Sequence, residues 1–182
     1  MRILLLIAMV LAGCGAIVKK EVETQFRSDL GKTSVTVYPV VVRSTARQTG
    51  VTWDEQAAKE LAGWIEKEGL ARTVVAPDRL QIAAKPGMNQ AKMFRSSMTS
   101  FGEWVKANPP KTEYALVAEY LMWRNGTVAG VHVYVVRNDG ELAYGTLLNS
   151  HWKEFKEVNP ATVQDATRVA IKTLNRDLIG KR

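Results

Sequence analysis

The chain has a single cysteine, Cys14, and two histidines, His132 and His151, among 182 residues. One cysteine rules out an internal disulfide, so a folded domain here must be held by its core rather than by covalent staples. Two isolated histidines supply no recognisable ligand set for a metal. There is no His-x-x-x-His, no Gly-x-Ser-x-Gly and no phosphate-cradling glycine loop. No nucleophile is legible beside a base, and no pair of carboxylates is set up for acid–base work. No cofactor, no metal and no catalysis are therefore expected. The chain also lacks the run of about 20 apolar residues that a membrane-spanning helix needs. Internal repeats and low-complexity segments are absent.

What is present begins at the N-terminus, "MRILLLIAMVLAGCGAIVKKE". Arg2 is a positive n-region, Ile3 to Leu11 a short apolar h-region, and Ala12-Gly13 are the small residues before a cut, the layout of a secretory signal. Leu11-Ala12-Gly13-Cys14 resembles the lipobox of bacterial lipoproteins. The resemblance implies that residues 1–13 are removed and that Cys14 is thioether-linked to diacylglycerol and then acylated on its new amine. Stable anchoring takes more than one chain, a condition that triacylation meets. Gly15, in place of the Asp that retains such proteins at the inner membrane, implies the periplasmic face of the outer membrane. The alternative is a plain secretory signal in which Cys14 is incidental.

Loss of Arg2 lowers the formal charge from +7 to +6. In a cytosolic protein that balance would raise nucleic acid as a partner. Behind an export signal it points instead to anionic headgroups or acidic envelope proteins, or simply to a soluble surface, and no nucleic-acid partner is expected. Residues 14–32, "CGAIVKKEVETQFRSDLGK", are charged and without sustained apolar period, and read as a lipidated N-terminus and tether, with a short helix as an open alternative. Residues 33–182 read as one domain.

Along that domain, Thr33–Val42 is rich in β-branched residues and reads as a strand, with Pro39 marking an edge or a bulge. Thr52-x-x-Glu55 is spaced as a capping box for a helix to Gly69, with Ala57, Leu61, Trp64 and Ile65 on one stripe. Leu70–Ala76 reads as a strand and 77–88 as an irregular loop. Asn89–Lys106 reads as a helix with Phe94, Met98, Phe101 and Val105 inward. Glu113–Trp123 is almost continuously apolar, as a strand buried on both faces would be. Asn125-Gly126 is the signal for a two-residue hairpin turn, Thr127–Val136 returns, and Asp139-Gly140 turns into Glu141–Ser150. After a loop, Ala161–Leu178 reads as a last helix with Val163, Ala166, Ala170 and Leu174 inward. The order is β-α-β-α-β-β-β-α. It specifies a mixed α/β fold with one sheet of about five strands and about three helices.

This order, the hairpin "VYVVRNDGELAY" and the closing helix resemble the domain shared by the TolB N-terminal region, the curli lipoprotein CsgG and the penicillin-binding-protein activator LpoB. The resemblance covers Ser34 to Leu178. CsgG-type pores need additional membrane-spanning hairpins, for which this chain has no room. What the resemblance implies is a periplasmic adaptor or regulator that binds another cell-envelope protein. A second reading is a lipoprotein holding a lipid or glycan fragment between sheet and helices, lined by the Met and aromatic stripe.

Two groups of side chains merit attention. A two-residue turn at Asn125-Gly126 would place Glu119 opposite His132. As a site that is an acid–base or pH-sensing pair; as structure it is a cross-strand ion pair worth a few tenths to about 1 kcal/mol, the preferred reading. The loop His151, Trp152, Phe155 sets two aromatics among charges, a common composition for a partner surface. Folding of Trp152 and Phe155 back onto the core is the competing and preferred reading. Arg43 precedes, and Arg47 lies within, a polar loop, 44–52, that would be solvated or touch an anionic partner.

Overall fold

The computed structural model describes residues 18–44, 50–82 and 89–180. Its strands are β1 (Ser34–Val37), β2 (Val40–Ser44), β3 (Val51–Asp54), β4 (Arg72–Val75), β5 (Tyr114–Met122), β6 (Val128–Arg137) and β7 (Leu142–Leu148). The helices are α1 (Lys20–Asp29), α2 (Glu55–Lys67), α3 (Gln90–Ala107), α4 (Lys153–Val158) and α5 (Val163–Leu174), followed by a π-helical turn, Asn175–Ile179. The fold class is the mixed α/β arrangement expected. It holds seven strands in one sheet, rather than about five, and five helices among the described residues, rather than about three. Residues 1–17, with the expected signal and Cys14, residues 45–49, with Arg47, and residues 83–88 and 181–182 lie outside the described residues.

The apolar run at 113–123 becomes the centre of the sheet. β5 pairs antiparallel with β6, which pairs with β7, and on its other side β5 pairs in parallel with both β1 and β2. The expected strand 33–42 is therefore one line broken at Tyr38-Pro39. Val37 stands opposite Leu116 and Val41 opposite Glu119, so four steps on one chain match three on the other. The extra residue is a bulge, placed where proline has no N–H to give to the ladder. The break also splits the outer layer: β4 lies parallel to β1, while β3 lies antiparallel to β2.

β3 replaces the helix start expected at Thr52. Val51, Thr52 and Trp53 favour a strand and pair with β2. Asp54, an equally good capping residue, starts α2 by accepting a hydrogen bond from the Ala57 N–H at 2.8 Å. The stretch read as tether is folded in part. α1 buries Val22 and Phe26, one helical turn apart, and the Phe26 ring packs edge-on against Tyr114 with centroids 5.0 Å apart. Folded chain thus begins near Lys19, not at residue 33. The loop before the last helix contains α4, and α5 starts at Val163 behind a capping box of Thr162 and Asp165.

The two hairpins share one construction. In each, a three-residue loop carries glycine at positive φ, Gly126 at 83° and Gly140 at 85°. Trp123 N–H donates to Thr127 C=O at 2.7 Å, and Arg137 N–H to Glu141 C=O at 2.8 Å. Both loops are longer by one than the two-residue turn expected at Asn125-Gly126. A bulge then follows in the returning strand, at Ala129 and at Ala143.

Period-two alternation along β5 and β6 divides the core. Leu116, Ala118, Tyr120, Val131, Val133 and Val135 face α1, α2 and α5. Ala115, Val117, Tyr134 and Val136 face α3, where they meet Phe94, Met98, Phe101 and Val105. At the far end of α3, Gly102 touches the Gly140 turn so closely that a Cβ on Gly102 would lie 2.6 Å from the Gly140 oxygen.

Candidate functional site

The α3 face of the sheet contains the polar groups singled out in the sequence. Glu119 on β5 and His132 on β6 are directly opposed. The register holds because the longer loop and the Ala129 bulge offset each other. Both residues are 0% exposed, so this is no surface ion pair. His132 Nδ1 lies 3.1 Å from Glu119 Oε2 and 3.0 Å from the Tyr134 hydroxyl, which itself donates to Oε2 at 3.0 Å. The remaining oxygen, Oε1, accepts from Arg43 Nε at 2.9 Å. A second Arg43 nitrogen donates to the Ile82 carbonyl at 2.8 Å.

A buried carboxylate is costly unless paired and hydrogen-bonded. Burial pushes the Glu119 pKa up, but the hydrogen bond and charge of His132 and the charge of Arg43 outweigh it, and the pKa falls to about 2. Burial, reinforced by the Glu119 charge, holds the Tyr134 hydroxyl well above its ordinary pKa. The cluster therefore has an ionised acceptor surrounded by donors. His132 Nε2 is buried without a partner, and its ring packs edge-on against Phe94 with centroids 5.3 Å apart. The carboxylate, imidazole and phenol are all fully covered. The cluster's hydrogen bonds tie β2, β5, β6 and the chain at Ile82 into one unit.

Arg43 and Tyr134 belong to this cluster, and sequence reading missed them. Arg43, expected beside a polar surface loop, has a side chain only 11% exposed and turned onto Glu119. Its register signal existed: Arg43 is two residues beyond Val41 and so shares that residue's face.

The loop 149–158 separates the other candidates. Phe155 is 7% exposed and joins the core beneath α5. Trp152 is 42% exposed and His151 lies at the surface. The expectation that both aromatics fold inward therefore holds for Phe155 and fails for Trp152. The Arg176 guanidinium sits 5.5 Å from the Trp152 ring centroid, within cation–π range. Arg176 is itself clamped by Glu154 at 2.6 Å and Asp177 at 2.8 Å, and Asp177 accepts from the Tyr144 hydroxyl at 2.9 Å. Trp152 is thus an exposed ring on a fixed support. A second exposed ring, Trp123 at 56%, follows β5 beside the hairpin loop, one residue beyond the strand rather than inside it as expected.

Between the sheet, α1, α2 and α5 lies a small apolar cavity lined by Phe26, Val35, Trp64, Leu116 and Leu174. Its volume is about 20 Å³, room for roughly one water. Among the described residues no group of three His, Cys, Asp or Glu is placed to hold a metal, and no helix is long and apolar enough to cross a membrane.

No protein-family model matches the chain, and no curated protein matches it. Among solved structures, the LpoB C-terminal domain from Salmonella enterica is similar at 15% identity and a TM-score of 0.39, over 70% of this chain and 90% of that one.

Proposed function

We propose that this protein is a lipid-anchored adaptor of the cell envelope. Acylated Cys14 holds it at the periplasmic face of the outer membrane, and its domain binds another envelope protein without catalysing a reaction. The observation that carries this reading is the contrast between its two polar clusters. The Glu119–His132 pair, the best candidate for chemistry, is sealed from solvent, while Trp152 stands exposed on the Arg176 support. An aromatic ring held rigid at the surface loses little entropy on contact, which is what binding hot spots require. Anchoring raises the local concentration of the domain at one membrane, so modest intrinsic affinity suffices. The small-ligand reading has less support. Its supposed lining, Phe94, Met98, Phe101 and Val105, is packed into the core.

A photo-crosslinking amino acid placed at position 152, and separately at position 155, tests the proposal in intact cells. Position 152 is expected to give one dominant protein adduct, and position 155 none. The adduct should disappear in a Cys14→Ser variant. Equal, diffuse labelling from both positions would count against a docking role for Trp152.

A further inference from the structure

The sheet ends in three outer strands, β3, β4 and β7, and they differ in how their edges are kept. β3 and β4 have four residues each, and on β4 the Glu66 carboxylate takes the outward Thr73 N–H at 2.9 Å. β7 has seven, "LAYGTLL", with neither a charge nor a proline among them, and its one bulge, at Ala143, lies near its start. Charges, prolines and short length are the devices by which natural sheets blunt an outer strand.

Ladder parity decides which groups face outward. Asn138 N–H donates to Glu113 C=O at 3.0 Å, so every second residue of β6 back from there, Tyr134 and His132 included, spends its backbone groups on β5. Gly145 and Leu147 stand opposite Tyr134 and His132. Their N–H and C=O groups therefore point away from β6, and no described residue takes them. Neither residue is buried.

What flanks this edge describes its occupant. On one face Tyr144 donates to Asp177, Asp177 holds Arg176, and Arg176 supports Trp152, whose own N–H donates to Asn149 C=O just past the end of β7. Arg176 is matched there by Glu154 and Asp177, so this side offers an aromatic ring rather than a free cation. On the other face runs α3. Trp104 packs on Tyr38 with centroids 5.2 Å apart and Gly102 abuts the Gly140 turn, so the Gly102 side of the helix is the one toward β7. Arg95, two helical turns earlier, shares that side. It is exposed, is in no ion pair with a described residue, and has no carboxylate within four positions along the helix. Along all of α3, Lys92, Arg95 and Lys106 face one carboxylate, Glu103.

We infer that the edge of β7 takes one extended segment of the partner protein as an eighth strand of the sheet, with an apolar side chain toward Trp152 and an acidic one toward Arg95. The inference rests on the reading of Trp152 as a contact residue, and it adds how the partner is held. Main-chain hydrogen bonds bind the segment, and alternate side chains, facing the two layers, select it.

The test uses the full chain in intact cells, with the photo-crosslinking amino acid at position 152. Leu147→Pro deletes an N–H that points outward and spares the ladder to β6, while Leu147→Ala loses the same packing but retains the N–H. The adduct is expected to vanish in the first and persist in the second. Arg95→Glu should lose it, and Lys59→Glu, on α2, should keep it. Should Leu147→Pro fail to fold by chemical denaturation, the chain without that substitution decides: its adduct is purified and amide hydrogen exchange is read residue by residue. Gly145 and Leu147 are expected to slow relative to the free chain, and Thr146 and Leu148, already bonded to β6, to stay unchanged. An adduct that leaves Gly145 and Leu147 exchanging as before, or that survives a folded Leu147→Pro or Arg95→Glu chain, overturns the strand inference alone. So does an adduct between two copies of this chain, or equal loss in Arg95→Glu and Lys59→Glu, which would show a net-charge effect. Absence of any adduct at position 152 overturns the contact reading and this inference with it.

Discussion

The two faces of the sheet are filled by different chemistry. Against α1, α2 and α5 lie valines, leucines, alanines and a few aromatics, and the polar groups among them are neutral hydroxyls such as the buried Tyr120–Thr167 pair, 3.1 Å apart. Against α3 the apolar packing surrounds an ionised carboxylate, an imidazole, a phenol and a guanidinium. The apolar face is non-directional: any set of side chains of the right volume would hold it. The polar cluster is directional. It tolerates one register of β2 on β5 and of β5 on β6, because a slip by one residue would leave a buried charge unpaired.

That difference is open to experiment, beginning with the largest effect. Arg43→Met leaves the Glu119 carboxylate buried without its guanidinium, and chemical denaturation should show a loss of about 3–5 kcal/mol. Arg43→Met combined with Glu119→Leu removes both charges, and most of that loss should return; if the double variant is as unstable as the single, the cluster is more than a charge pair. Acid titration comes next. The Glu119 pKa is depressed, so its contribution is fully present above the ordinary carboxylate range near 4.5 and is lost as pH falls toward about 2. Unfolding followed at pH 7 and at pH 3 should show a loss of a few kcal/mol in the native chain, and a smaller loss in the double variant. Glu113, depressed to about 2 by its hydrogen bonds to Ser34, adds to the same acid limb, but it is exposed and should count for little.

On the apolar face, Ile65→Val should cost about 0.5–1.5 kcal/mol, and by the same amount at both pH values. A pH-dependent cost there would blur the distinction between the faces. The smallest effect on folding is expected at Trp152. Exposed and supported from below, it should change stability by about 0.5 kcal/mol or less on substitution by alanine, read by chemical denaturation.

Much of the sheet was legible because its signals are local. The apolar run of β5, the two Gly turns and the stripe of α3 are each written in a single stretch of chain. The opposition of Glu119 and His132 was reached through a two-residue turn that the structure does not contain. An extra loop residue and the Ala129 bulge offset each other, so the register survived. The break at Tyr38-Pro39 was visible only as a proline, because a bulge has no periodicity of its own. α1 stayed an open alternative because just two of its ten residues, Val22 and Phe26, are buried, too few to raise a stripe above the charged background. β3 escaped because Thr52 and Glu55 have capping-box spacing, while the competing cap at Asp54 becomes decisive only once β2 offers a pairing edge.

Neighbouring residues alone carry the physics of the strand–turn–strand meander and of the amphipathic faces of α2, α3 and α5. Tertiary structure alone decided the rest. Parallel pairing of β2 with β5 brings Arg43 to Glu119 across 76 positions of chain, a contact that no local period encodes. The same folding commits α1 to the core, leaving four residues between Cys14 and Lys19, because burying Phe26 against Tyr114 and Tyr144 outweighs the entropy of an open tether.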